Sequence, residues 1–228
     1  MARLAAGLPL IAAVAVGCTV DLGGSLPGTP PADAGAGDGG ADGGDGGGER
    51  ALLSVAFATR ESIPGKVGGP REAEVELVEL AMDDLRAIGD VGATGAVAVD
   101  LVWDEEERPR PIGLAGVTAG LYAQLRGTVR RYAVYGEVEI AQGNVEFEIV
   151  DDAPPPSVAL AVDLGALVVA AGTAHEIDVD IHLKRVLEVV PWDSIAPDPD
   201  GVIRIDGADA AAIDAVRSRW PSAFSLGD

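Results

Sequence analysis

Residues 132–149 are YAVYGEVEIAQGNVEFEI, and they carry the clearest structural signal in this 228-residue chain. Apolar and polar residues alternate on both sides of a short segment, 141–144, which is the period of a half-buried β-strand. A glycine-containing segment of this length is typical of a hairpin turn. The stretch therefore predicts a β-hairpin with one face in a core and the other in water. The predicted outer face carries Glu137, Glu139, Glu146 and Glu148.

The same alternation continues on either side of the hairpin. Each of the flanking strands is predicted to turn one row of apolar side chains toward the core. These rows are Leu53, Val55 and Phe57; Val97, Val99, Leu101 and Trp103; Leu121, Ala123, Leu125 and Val129; Val158, Leu160, Val162 and Leu164; and Ile177, Val179, Ile181 and Leu183. Many short strands with turn signals between them favour a mainly β fold, an antiparallel β-sandwich.

Two segments need a separate interpretation. Residues 73–88 fit helical spacing through Val75, Val78 and Met82, but they also fit strand alternation; we favour a strand because the neighbouring segments are strands. The chain after 198–201, which has turn chemistry, predicts a short strand and then one C-terminal helix over about 206–220. Asp206 is expected to cap this helix, and Pro221 to end it.

The first residues predict export. An apolar run, 4–16, follows Arg3 and is too short to span a membrane, which is the layout of a secretory signal over 1–17. The only cysteine, Cys18, comes directly after it, and the small residues Ala15 and Gly17 make this site resemble a bacterial lipobox, where the cysteine is lipidated. The alternative is an ordinary signal peptide that is cleaved nearby, with Cys18 incidental.

Residues 18–50 are interpreted as a lipidated cysteine followed by a disordered tether, because Gly, Ala and Asp dominate them and cannot bury enough apolar surface to fold. Residues 51–228 are then long enough for one β-sandwich domain that includes the C-terminal helix. The net charge of −21 excludes nucleic acid as a partner, since binding phosphates requires a basic surface.

Three further segments support a family resemblance. They are the strand 97–101, the segment 117–125 with its Ala-Gly-Leu-Tyr sequence, and the Gly172-Thr173 turn before the aspartate-bearing strand 177–180. They resemble an uncharacterised family of bacterial lipoprotein sandwich domains, and the likeness covers most of residues 51–190. The resemblance implies an immunoglobulin-like or prealbumin-like fold, and it implies no catalytic residues.

Six residues are candidate metal ligands. Alternation along one strand places four of them on a single face, and two more lie in the turn at 198–201. The six are Glu176, Asp178, Asp180, His182, Asp198 and Asp200. Carboxylates suit Ca²⁺, so calcium is the possible cofactor, and none other is expected. The alternative is that the strand shows an ordinary solvated face and that 198–201 is a plain turn. The acidic residues at 104–107 and 151–152 are likewise expected to lie in loops and to be exposed to water.

Enzyme motifs are absent from the sequence: it has no nucleophile elbow, phosphate loop or zinc-protease helix. We therefore expect a non-catalytic binding or structural module in the cell envelope, held at the outer membrane by the lipid on Cys18 and contacting an envelope protein or a glycan. A calcium-dependent adhesion or carbohydrate-binding lipoprotein is the alternative. An envelope hydrolase is a more remote one.

Overall fold

The computed structural model describes residues 50–152, 154–155 and 158–227. The predicted signal peptide, Cys18 and nearly all of the predicted tether lie outside the described residues. Within them are twelve strands, two α-helices and one turn of 3-10 helix. The strands are β1 (Leu52–Thr59), β2 (Gly65–Val67), β3 (Ala73–Gly89), β4 (Gly92–Ala93), β5 (Val97–Trp103), β6 (Ile112–Gly113), β7 (Gly120–Ile140), β8 (Gly143–Asp151), β9 (Ala159–Val169), β10 (Ala174–Ile181), β11 (Ile203–Ile205) and β12 (Phe224–Leu226). The helices are α1 (Leu183–Leu187), the 3-10 turn (Trp192–Ser194) and α2 (Ala210–Ala223).

The strands form a β-sandwich of two sheets, as predicted. The smaller sheet has the order β12-β10-β1-β6, and the larger has β11-β8-β7-β3-β2. Strands β4 and β5 pair with the far half of β3, and β9 pairs with the first half of β7, which widens the larger sheet to eight strands. All of the remaining strands of that sheet except β11 therefore pair with one of its two long central strands, β3 and β7.

The strand interpretation of residues 73–88 is confirmed, since they lie within β3. The predicted hairpin is confirmed as β7 and β8, joined by the two-residue loop Ala141 and Gln142. Gly143 opens β8 at a φ of 117°, a conformation that glycine adopts without the strain other residues would meet.

One predicted row of core residues is wrong at its beginning. Leu121 and Ala123 were expected to face inward, but the buried residue there is Tyr122, and the inward row resumes at Leu125. A register shift in the pairing with β9 between Tyr122 and Gln124 changes the parity of the strand. The Tyr122 hydroxyl donates to the carbonyl oxygen of Thr118 at 3.0 Å, which fixes the ring in the core much as a tyrosine corner does.

Two strand pairs are parallel within this otherwise antiparallel sandwich. Strand β1 pairs with β10 over its whole length, and β11 pairs with β8. The first pair joins segments more than a hundred residues apart, so no hairpin imposes an antiparallel direction on it. Alternation within a strand predicts its buried face, but it contains no information on the direction of its partner.

The C-terminal helix is present, but its ends differ from the prediction. It begins at Ala210, not near residue 206, because the Asp206 side chain accepts from the N–H of Ala208 at 2.7 Å and forms a turn first. Pro221 does not end it: the helix continues to Ala223, which is buried, and a proline this close to the end removes only one backbone hydrogen bond. The short helix α1 was not predicted.

The core lies between the two sheets and beneath α2, and the described residues form one compact unit. Aliphatic side chains fill most of it, and the buried tryptophans Trp192 and Trp220 pack the C-terminal part, as expected. Trp192 lies against Phe147, with 5.0 Å between ring centroids, and Trp220 lies against Tyr132 at 5.1 Å. These contacts attach the C-terminal segment to the larger sheet.

Candidate functional site

Three of the four ligands predicted on one strand, Glu176, Asp178 and Asp180, do lie on one outward face of β10. The placement of His182 on that strand is wrong, because β10 ends at Ile181 and His182 precedes α1. Most of the four already have partners within the chain. Asp180 accepts from the Arg60 guanidinium at 2.9 Å, and His182 contacts the Ser225 hydroxyl at 2.8 Å. Glu176 accepts a long hydrogen bond, 3.4 Å, from the Ser54 hydroxyl.

Asp178 is exposed, and the Gly227 N–H donates to its carbonyl oxygen at 2.8 Å. Side chains on one face of a strand point in parallel, so Glu176, Asp178 and Asp180 do not converge on a common centre.

The two aspartates of the predicted turn face an arginine. Arg204 donates to Asp198 at 2.9 Å and to both oxygens of Asp200, at 3.0 and 2.8 Å, and it also reaches Glu148 at 3.2 Å. The hydrogen bonds from Arg204 lower the pKa of the Asp200 carboxyl below its ordinary value. The guanidinium therefore already supplies the positive charge that a cation would bring to this turn.

The six predicted ligands are divided between the two sheets, because β10 belongs to the smaller sheet and β11, which follows the turn, belongs to the larger. Within residues 50–152, 154–155 and 158–227, no group of three or more His, Cys, Asp or Glu side chains is arranged to hold a metal ion. The structure thus does not assemble the candidate calcium site from these residues.

Ion pairs join the strands on the outer face of the larger sheet. Arg131 of β7 pairs with Glu79 of β3 at 2.8 Å and with Asp152 at 3.0 Å. Arg130 pairs with Asp100 of β5 at 2.7 Å and lies 3.4 Å from Asp83. These four carboxylates are thus paired with arginines of β7, and exposed pairs of this kind contribute little to stability one by one.

A buried ion pair lies where α2 meets the end of β8. The Asp151 side chain is only 5% exposed, and it accepts from Arg217 at 2.6 and 3.1 Å. The expectation that Asp151 is a water-exposed acidic residue of a loop is therefore wrong, because α2 covers it. Burial, and then the negative charge of Asp151, raises the pKa of Tyr132 far above its ordinary value.

The polar groups beside this pair are incompletely bonded. Neither the Tyr132 hydroxyl nor the Trp220 indole N–H has a hydrogen-bond partner of good geometry in the described part of the chain. An open cleft of about 540 Å³, lined by Asp151, Asp206 and Arg217, lies over the pair. Sequence analysis missed this cluster because Asp151 and Arg217 are 66 residues apart and each is ordinary in its local context.

A second cleft, of about 310 Å³, follows the end of β1. Strand β6 pairs with β1 only at Ser54 and Val55, so the outer edge of β1 is uncovered from Phe57 onward. Trp103, Arg108 and the segment 57–63 line this cleft. An open strand edge and an arginine lie together in this cleft, and we take it as the candidate binding site.

Arg108 has an unusual environment for an arginine in so acidic a chain. Its guanidinium donates to the backbone carbonyl oxygens of Asp104 and Ile63, and to that of Glu107 at 2.8 Å. No carboxylate of the described residues pairs with it. Arg108 is therefore a positive charge at the cleft with no carboxylate partner, although the chain carries a net charge of −21 and Glu61 also lines the cleft.

Comparison of the chain with protein-family models, with curated proteins and with solved structures finds no match in any of the three. The resemblance to bacterial lipoprotein sandwich domains therefore stays a prediction. In the part of the chain that the structure describes, no helix is long and apolar enough to cross a bilayer, and the longer of the two, α2, has 14 residues.

Proposed function

We propose that this chain is a lipid-anchored protein of the cell envelope whose β-sandwich is a non-catalytic module that binds an envelope protein or a glycan, or supports the envelope structurally. One observation carries the proposal: Cys18, the only cysteine, lies directly after the apolar run 4–16 and the small residues Ala15 and Gly17. A lipid on Cys18 would hold the domain at a membrane, and we propose that this is the outer membrane.

The length of the segment after Cys18 supports a display role. The sandwich begins with β1 at Leu52, so more than thirty residues separate the proposed lipid from the fold. A glycine-rich chain of this length spans roughly 30 Å in root-mean-square terms, which would lift the domain clear of the lipid headgroups. The open cleft beside β1 supports a binding role, because an unpaired strand edge is a common place for a protein partner to attach.

The anchoring half of the proposal is tested in a bacterial host with the Cys18→Ser variant. The wild-type chain should incorporate radiolabelled palmitate and sediment with membranes, whereas Cys18→Ser should incorporate none. As a control for overall folding, the sandwich of both chains should resist limited proteolysis equally. Wild-type protein without label, recovered in the soluble fraction, would contradict the proposal and favour an ordinary signal peptide.

A further inference from the structure

We infer that the open edge of β1 binds an extended, acidic segment of a partner protein, which adds to the smaller sheet as a strand beside Phe57 and Thr59. This inference rests on the proposed binding function and names its site and its class of partner. It is carried by the hydrogen bonding of β1 and by the guanidinium of Arg108, which has no carboxylate partner.

The hydrogen bonds of β1 show which backbone groups are free. Leu52 N–H donates to Thr173 at 2.9 Å, and Arg60 N–H donates to Ile181 at 2.9 Å, so the even-numbered residues of β1 face β10. Leu53 instead accepts from Leu114 N–H at 2.8 Å, on the opposite edge. Because backbone groups alternate along a strand, the N–H and C=O of Phe57 and Thr59 point toward the uncovered edge.

These groups have no partner among residues 50–152, 154–155 and 158–227. The pairing with β6 ends at Val55, and no backbone hydrogen bond joins Phe57 or Thr59 to the loop 104–111. Pro109 and Pro111 lack an N–H, which helps to prevent this loop from continuing β6 as a strand.

The open groups form a template for a further strand. Phe57 is only 5% exposed because its side chain packs in the core, but its unpaired N–H and C=O lie on the edge of the sheet, where another strand can pair with them. An added strand would satisfy them in the way that β1 is already satisfied by β10 on its other edge. Phe57 and Trp103 line the inner wall of the cleft but are already buried, so an added strand would be held chiefly by its backbone hydrogen bonds and by Arg108.

Arg108 is the feature of the cleft that favours an acidic partner. Of its charged lining residues, Arg60 pairs with Asp180, and Glu61 accepts the N–H groups of Leu183 and Lys184 at 3.0 and 3.3 Å. Arg108 contacts carbonyl oxygens only. Glu105, Glu106 and Glu107 are exposed, and they lie outside the lining of the cleft. A carboxylate on the added strand would therefore find its counter-ion in Arg108.

The test uses the purified full chain in detergent and a fluorescent peptide of alternating valine and glutamate. Two control peptides have lysine in place of glutamate, or N-methyl groups on alternate backbone amides. Fluorescence anisotropy should show binding of the glutamate peptide and of neither control. Arg108→Glu should weaken this binding by about tenfold or more, because it places like charges together. Arg126→Glu, the same charge change on the exposed face of β7, should leave it nearly unchanged.

Amide hydrogen exchange at Phe57 and Thr59 locates the peptide. Both amides should exchange fast in the free chain and slowly with the glutamate peptide. Absence of binding at millimolar peptide, or equal binding of the N-methylated peptide, would overturn the inference. A third result would show that the chain's own segment 19–49 binds the edge of β1, so that the assignment to a partner protein is wrong. In that case both amides would be protected in the free chain, and they would lose this protection when 19–49 is replaced by a Gly-Ser chain of equal length. None of these results depends on palmitate labelling, so failure here is distinguishable from failure of the proposed anchor.

Discussion

Gly136 permits a close approach of the two central strands. A Cβ at this position would overlap the carbonyl oxygen of Glu74 on β3, and that backbone cannot move without disturbing the sheet. We expect Gly136→Ala to destabilise the fold by about 1–3 kcal/mol or more, the range for forced overpacking. Gly113→Ala is the matched control, because Gly113 lies in a strand with open space at its Cβ position. Equal urea midpoints for the two variants would contradict the close approach of β3 and β7.

The raised pKa of Tyr132 predicts a loss of stability at alkaline pH. Its pKa is raised by burial and by Asp151, so the folded protein keeps a proton that the unfolded chain releases above pH 10 or so. The stabilisation that this raised pKa provides is fully present below that pH. Above it, the free energy of unfolding falls by about 1.4 kcal/mol per pH unit. Tyr132→Phe keeps the ring against Trp220 and removes the ionisable group. The free energy of unfolding of this variant should fall less steeply between pH 10 and 11 or so than that of the wild type; identical slopes would refute the assignment.

At the scale of elements, an ion pair between Arg217 and the buried Asp151 adds to the apolar contacts that attach α2 to the larger sheet. Arg217→Met would leave the Asp151 carboxylate buried without its partner, which costs about 3 kcal/mol in such sites. Asp214→Ala is the control, since Asp214 contacts the same arginine at 2.9 Å but is 68% exposed, and its loss should cost less than about 1 kcal/mol. Urea unfolding measures both changes. A small effect of Arg217→Met would mean that α2 is held by its apolar face alone.

Strand alternation predicted most of the buried rows, including those of β5, β9 and β10, because burial on one face leaves a period of two in the sequence. It failed at Tyr122, where a register shift changes the parity. It also missed α1, whose first N–H groups are bound by Glu61 from a loop 122 residues earlier. The candidate cleft could not be predicted either, since it depends on which strands pair with β1 and where that pairing stops.

At the scale of the whole molecule, the distribution of charge predicts how the domain responds to calcium. Asp180 and the two aspartates of the turn, Asp198 and Asp200, already bind arginines, so millimolar calcium should move the thermal midpoint by less than a degree or so relative to a chelator. A specific site at a hundred times its dissociation constant would add about 2.7 kcal/mol, a shift of several degrees for a domain of this size. Such a shift, absent with magnesium, would show that other carboxylates assemble a site.

The central claim, a lipid-anchored envelope module, is tested most directly by the intact mass of the mature chain purified from bacterial membranes. The account predicts a chain that begins at Cys18 and carries a diacylglycerol on its thiol, with residues 1–17 removed. A chain that begins elsewhere, or that has an unmodified Cys18 thiol, would contradict it.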